Sequence, residues 1–416
     1  MNSLRISTTP QTRKKSLGRS SRGASMQVDS YKLTDLLSAI VDNRGRSCPT
    51  SDSGIPLIAT NCIKSESLYP RYEKLRFVSQ ETYETWFRGH PLPGDLIFVC
   101  KGSPGRVCLA PDPVEFCIAQ DMVALRPDPA KVYDKYLLAA LRSPEVQRRI
   151  ANLHVGSLIP HFKKGDFGKL LIPVPDRGSQ VQIGDLYYHL SRKISINENI
   201  AATADSLISA LHLNAAAEVP AEFSEKALTA AADFINGRAF TKEATGVGRM
   251  VVRISEINSG PGLSTVYNEV EVPEKHLARP GDFLFAWSGS LTAARWYRPE
   301  AIINQHIFKV VPKGDRPMWL VAELVRMKLA QFRAIAADKA TTMGHIQRRH
   351  LEEPVLMPSI AMTQKLDSKL RPLWDRALAA EQESLALTAL RDTLLPQLMS
   401  GKLRVRDAER IVEDAV

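Results

Sequence analysis

The sequence predicts an α+β fold: two similar globular α/β domains joined by two long helices, which form an antiparallel coiled-coil spacer with an internal pseudo-two-fold. Two observations predict it. Short motifs in the first half recur in the same order in the second. Each copy then runs into a stretch whose apolar positions alternate at steps of four and three, the seam of a helix packed lengthwise on another helix. A chain of 416 residues accommodates two or three domains with sizeable cores. The expected divisions are a basic, disordered tail (1–25), a first domain (26–177), a first spacer helix (178–214), a second domain (215–357), a second spacer helix with a distinctive C-terminal motif (358–405), and a short tail (406–416).

In order along the first copy, residues 31–41 read as a short amphipathic helix or apolar lead-in, with Tyr31, Leu33, Leu36, Leu37 and Ile40 as its apolar face. A polar break at Val41 to Gly45 follows. Gly54 to Ile58 reads as a buried strand, Gly94 to Val99 as a turn feeding another, and Asp121 to Leu125 as a third. Leu137, Leu138, Leu141, Val146 and Ile150 recur at helical spacing, and Ser143-Pro144 should split that region into two helices.

The second copy repeats these signals. Phe234 to Arg238 lies 194 residues after Ile40 to Arg44, and Gly281 to Phe285 lies 187 after Gly94 to Phe98. Gln305 is 185 after Gln120, His345 is 184 after His161, and Pro358 is 185 after Pro173. An offset that drifts so little, as small loop deletions would make it, marks a duplicated domain and not a solenoid unit.

The first spacer helix is expected from Ser179 to Leu213, with Ser179 and Gln182 as a capping box. Its seam includes Leu190, Ile194, Asn197 and Ile208, and polar Asn197 should help fix register. The second includes Leu366, Leu370, Leu373, Leu387 and Leu394. At ~1.5 Å per residue these are rods of ~50 and ~60 Å. Antiparallel packing follows from the short connection into the second domain. Pro372 should bend its rod or mark where the straight part begins. Pro396 should kink or stop it near Leu395, Ser400-Gly401 should end it, and the segment through Val405 should dock on the other half.

Net charge is +10, but six basic residues in the first 25 leave the remainder at about +4, so charge alone argues weakly for a polyanion partner. The tail before Met26 reads as an extended start or a flexible arm. Five cysteines, Cys48, Cys62, Cys100, Cys108 and Cys117, have no CxxC spacing, which favours reduced thiols in a cytoplasmic protein over a disulfide frame or metal site. No run of ~18 apolar residues is present for a membrane span, and the N-terminus lacks a secretory signal's apolar core.

No Walker A loop, GxGxxG after a strand, HExxH or GxSxG frame occurs. The chain therefore reads as a non-catalytic binding protein. The candidate contacts fall in matching loops: Arg44, Lys101, Ser103, Arg106, Gln120, His161, Lys163 and Lys164 in the first copy. The second offers Arg238, Ser290, Arg295, Asn304, Gln305, His306, His345, Gln347, Arg348 and Arg349. Lys, Arg and Ser near glycine amides suit phosphate, whereas Asn, Gln and Arg can read base edges in a major groove.

The ending Leu390 to Val405 resembles the C-terminal signature of specificity subunits of type I restriction–modification systems. Pro93 to Asp95, Pro280 to Asp282, and Ile303 to Phe308 are similar to motifs of that family's target-recognition domains; Cys117 to Asp121 is a weaker match than its counterpart in the second copy. The resemblance spans about Met26 to Val405. It implies a DNA-binding subunit without a catalytic site, two target-recognition domains that each read half of a split double-stranded site, and a spacer acting as a ruler. It also implies partners: methyltransferase subunits, two in number, that methylate adenine with S-adenosylmethionine, and ATP-driven restriction subunits. S-adenosylmethionine, ATP and Mg are thus expected on partners only. A scaffold that assembles partners through its helices without reading DNA, and an unrecognised enzyme, are the competing readings.

Overall fold

Alternating apolar residues make short strands, and the computed structural model assembles them twice in the same way; it describes residues 28–43, 47–153, 160–242, 244–338 and 344–415. The first pass is β1 (Val28–Lys32), β2 (Leu37–Asp42), β3 (Ile55–Ile58), β4 (Arg76–Val78), α1 (Gln80–Thr85), β5 (Leu96–Val99), β6 (Val107–Leu109), β7 (Cys117–Ile118), β8 (Met122–Pro127), α2 (Asp134–Arg142), α3 (Pro144–Leu153) and β9 (Leu171–Pro175). It ends in the long helix α4 (Arg177–Glu218). The second pass is β10 (Phe223–Ala227), β11 (Ala232–Asn236), β12 (Arg249–Val252), α5 (Ile254–Ser259), β13 (Val266–Asn268), β14 (Leu277–Ala278), β15 (Phe283–Ala286), β16 (Thr292–Arg295), β17 (Ala301–Ile303), β18 (Ile307–Pro312), α6 (Met318–Asp338) and β19 (Pro354–Pro358). The long helix α7 (Ile360–Met399) and the short α8 (Val405–Ala415) close the chain.

Sheet order shows the duplication directly. The first domain's four-stranded sheet runs β2-β8-β5-β6, and the second's runs β11-β18-β15-β16. The smaller sheets correspond as β4-β3-β7 and β13-β12-β17, with β14 added at the second's edge. β1 pairs with β9 antiparallel, as β10 does with β19. The Pro-Gly-Asp turns behave alike. Asp95 Oδ2 accepts from Leu92 N at 2.8 Å, and Asp282 Oδ2 from Arg279 N at 2.7 Å. Each carboxylate then pairs with a base on the neighbouring strand, Arg126 on β8 or Lys309 on β18. Gly94 and Gly281 supply the positive φ, 84° and 94°, that these turns need.

α4 and α7 pack lengthwise. Leu190 and Ile194 meet Leu387, and Ala201 and Ala204 meet Ala377, so the helices run antiparallel. With 42 and 40 residues they are each ~60 Å long. α7 begins 183 residues after α4. That offset, combined with antiparallel pairing, passes the pseudo-two-fold beside Asn197 and Glu198 on α4 and Ala380 and Glu381 on α7. Each domain seats on both helices. The first buries Ile183 and Tyr187 with Leu394, Leu395 and Leu398; the second buries Ile208 with Leu366, Leu370 and Trp374. Leu373 is half-buried, and the other seam positions named above are buried.

Several sequence expectations are corrected. Residues 31–41 form the end of β1 and all but the last residue of β2 around a single 3-10 turn; Leu33 and Leu36 face the core from that turn and Leu37 from the start of β2, not from one stripe of an α-helix. α4 starts two residues before Ser179: Asp176 is its cap, with its side chain accepting from Ser179 N at 3.1 Å. It also extends to Glu218, which makes it longer than expected. α7 runs through Pro372 and Pro396 to Met399. Both prolines fall on the exposed side, where the carbonyls they release, of Ser368 and Asp392, meet water. Gly401, with φ 67°, then ends the helix as expected. Residues 405–415, where a short tail from 406 was expected, are helical, and Ala408 is fully buried beside α4 and α7. The split at Ser143-Pro144 occurs, whereas α6 is continuous. The basic tail and Arg44 lie outside the described residues.

All five cysteines are buried as free thiols, and burial pushes the Cys108 thiol up to about 12, an inert group. Among the described residues, no group of three or more His, Cys, Asp or Glu is placed to hold a metal, and no helix is long and apolar enough to cross a membrane.

Candidate nucleic-acid interface

The duplicated sheet builds one turn twice. After β5 the chain makes a turn at Gly102 (φ 84°), and after β15 one at Gly289 (φ 64°). In the first domain Cys100 N donates to Asp121 O, Phe162 N to Cys100 O, and Gly102 N to Pro160 O, at 2.8–2.9 Å. In the second, Trp287 N donates to His306 O (3.2 Å), Ile346 N to Trp287 O (3.1 Å), and Gly289 N to Gly344 O (2.8 Å). Three distant loops are thereby held at one end of each domain. That end gathers Lys101, Ser103, Gln120, His161, Lys163 and Lys164 in the first copy. In the second it gathers Ser290, Gln305, His306, His345, Gln347 and Arg348.

The side chains at equivalent places differ. Lys164 pairs with Asp42 in the first domain. Its counterpart Arg348 donates to Phe234 O at 3.1 Å beside Asn236, the counterpart of Asp42. Asn236 accepts from the Trp287 indole at 2.9 Å. Trp287 lies between His306 and His345, with ring centroids at 5.6 and 6.3 Å, and packs on Phe308 at 5.8 Å. Ser288 Oγ lies 3.1 Å from His306 Nδ1, and Gln305 Nε2 lies 3.2 Å from His306 Nε2. The second site is aromatic and amide-rich, whereas the first is lysine-rich. Lys101, Lys163, Gln305, His345, Gln347, Arg348 and Arg349 are exposed; Ser103, Arg106, Gln120, His161, Lys164 and His306 are half-buried.

A cleft of about 680 Å³ borders the second site, lined by Asn236, Arg238, Lys275, His276 and Arg348 among others. Burial, then the charges of Arg238 and Lys275, lower the His276 pKa; Arg238, Lys275 and Arg348 bring positive charge to the cleft, against one carboxylate, Asp233. Gly237 is required here: a Cβ would fall 2.2 Å from Asn304 O. Cations at the rim suit phosphate, and Gln, Asn and His between them suit base edges.

Two candidates do not join this surface. Arg295 is buried, its guanidinium held by Glu381 on α7 (2.8 Å) and Asp205 on α4 (3.3 Å), because alternation along β16 points it at the spacer. Asn304 is 7% exposed beneath the Gly237–Arg238 backbone, and its Oδ1, buried without a hydrogen-bond partner among the described residues, is not open to the surface. Sequence reasoning missed Asn236, Trp287, Lys275 and His276. Asn236 sits inside a repeated motif, and Trp287 directly precedes the Ser288-Gly289 turn, so the duplication pointed to both. Lys275 falls 187 residues after Arg88, just ahead of the repeated Pro-Gly-Asp turn, but neither it nor His276 sits in a motif that repeats.

Two copies of one α/β domain are seated at opposite ends of an antiparallel helix pair, each presenting polar side chains from one turn. Residues 29–204 match the family model of the type I restriction modification DNA specificity domain. No curated protein matches the sequence. Among solved structures, the type I restriction-modification system S subunit from M. genitalium is 17% identical, covering 93% of this chain and 99% of that one, with a TM-score of 0.51, which shows the same fold. The HsdS subunit from Thermoanaerobacter tengcongensis is 17% identical over 90% of this chain and 97% of that one, at a TM-score of 0.36.

Proposed function

We propose that the chain reads an asymmetric, bipartite DNA target, one half-site per domain, and positions methyltransferase and restriction subunits on it. The observation that supports this best is the repeated turn with unlike side chains. One scaffold is presented twice, with lysines and a Lys164–Asp42 pair in one copy and Trp287, His306, Gln305 and Arg348 in the other. Identical scaffolds with different donors select different half-sites. The ~60 Å helices separate the two domains by more than the ~34–36 Å between successive major-groove faces, so several unread base pairs lie between the half-sites. Methyl transfer and cleavage, with S-adenosylmethionine, ATP and Mg, belong to the partners.

Methylome sequencing with and without the gene tests the proposal: a split, adenine-methylated motif disappears on deletion. If every methylated motif survives, the proposal fails. A second expected result concerns the exposed pair Arg348 and Arg349. Replacing both with alanine weakens binding and lowers the slope of log affinity against log salt by about two units, about one per phosphate contact. An unchanged slope places both on a solvated face.

A further inference from the structure

The first domain sends one loop toward the second. It is fastened at its root: Arg71 N donates to Cys62 O at 2.8 Å, and Asn61 Nδ2 donates to Glu73 O at 2.8 Å. Arg71 then pairs with Glu198 on α4, Nη2 to Oε1 at 2.7 Å. Glu198 stands beside the pseudo-two-fold, so this ion pair ties the loop to the middle of the spacer. Lys74 follows three residues on, with φ 49°, a left-handed conformation that a lysine rarely adopts. From there it forms one wall of a cleft of about 620 Å³ whose other wall is the second domain: Asn258, Ser290, Arg333 and the backbone at Gly289 and Gly344. Among the described residues no acidic side chain lines the cleft. Lys74 and Arg333 are in none of the ion pairs among those residues. Arg333 uses its Nε on Leu291 O at 3.0 Å.

The geometry points to a phosphate clamp between the domains: Lys74 and Arg333 grip a backbone phosphate of the unread DNA between the half-sites, with Ser290 and Asn258 as neutral donors. The clamp rests on the bipartite DNA reading above. Three features favour this ligand. The cleft opens beside the Gly289–His345 turn, so it is continuous with the candidate reading surface. It lies near the middle of the molecule, where the unread segment has to pass. Its two cations come from different domains, and a phosphodiester has two free oxygens to meet them. The first copy's loop has no repeat in the second, so there is one clamp per chain and the unread segment is held at a single place.

The test uses the full chain assembled with its methyltransferase and a duplex carrying the motif from methylome sequencing. Neutral methylphosphonates replace the spacer phosphates one at a time. The expected result is one position in the spacer where neutralisation weakens the parent complex by about tenfold and lowers its salt slope by about one unit. K74A/R333A binds more weakly on the normal duplex and no longer responds at that position. Lys74→Arg, which keeps the charge, restores the response when Arg333 is present. If neutralising every spacer phosphate leaves the parent unaffected while half-site phosphates matter, the clamp is wrong and the bipartite reading stands. If no motif-bearing duplex is bound above random DNA, both fail.

Discussion

Replacing Arg295 with alanine is expected to destabilise the protein by about 3 kcal/mol, the low end for breaking a buried ion pair, because it leaves the half-buried Glu381 carboxylate without its partner. The Arg295 side chain is 1% exposed. It donates to Glu381 on α7 at 2.8 Å and to Asp205 on α4 at 3.3 Å, and its guanidinium lies 4.2 Å from the Trp374 ring centroid. One side chain of the second domain thus binds both spacer helices at once. Burial alone would push the Arg295 pKa down, but the Glu381 bonds and the Asp205 charge outweigh it and hold the group charged. Burial also raises the Glu381 carboxyl, which Arg295 opposes. Without Arg295, Asp205 keeps Arg326 at 2.9 Å, but Glu381 loses its partner. Converting Arg295 and Glu381 together, to methionine and leucine, should recover most of the loss, since the unpaired charge goes too. Urea denaturation reads both variants. The salt slope of DNA binding should stay unchanged in either one; a lower slope with unaltered stability would return Arg295 to the DNA surface.

Arg295 also shows where sequence reading ends. The duplication, the two seams and the turns were legible because each rests on local spacing: an offset near 190, alternating steps of four and three, a glycine before an aspartate. What was not legible is the direction of a side chain whose partners are remote. Arg295 follows a Gly-Ser turn and reads as a phosphate contact, yet its partners are 90 and 86 residues away on two different helices. Lys74 carries no motif, and its place depends on the loop reaching the other domain. Pro396 looked like a helix stop because proline removes one hydrogen bond. The buried Leu394, Leu395, Leu398 and Met399 outweigh that cost by packing on the first domain.

Truncating Leu370 to alanine is expected to cost about 3–5 kcal/mol, more than any change to the polar centre of the spacer. Leu370 is fully buried, in one core with Ile208, Leu366 and Trp374. The centre holds Asn197, whose Nδ2 donates to Glu383 at 2.8 Å, and Lys193 beside them at 3.2 Å. Among the described residues, Asn197 Oδ1, Ser191 Oγ and Ser384 Oγ have no hydrogen-bond partner. A polar residue on a helical seam usually sets register, and Asn197 invites that role. Here the domains oppose any slip more strongly. Moving one helix past the other by a heptad, ~10.5 Å, would pull Leu366, Leu370 and Trp374 out of one core and Leu394, Leu395 and Leu398 out of the other. Each lost anchor costs about 2–5 kcal/mol, against the 1–2 kcal/mol or so that leucine at both Asn197 and Glu383 contributes by removing a poorly satisfied polar pair. The double replacement should therefore raise thermal stability and, on the proposed bipartite reading, leave the spacing between half-sites unchanged. Binding measured across duplexes whose spacers differ by single base pairs checks this. A variant that accepts several spacer lengths would show that the ruler's setting lies in Asn197 and Glu383, and that the domains only ride on it.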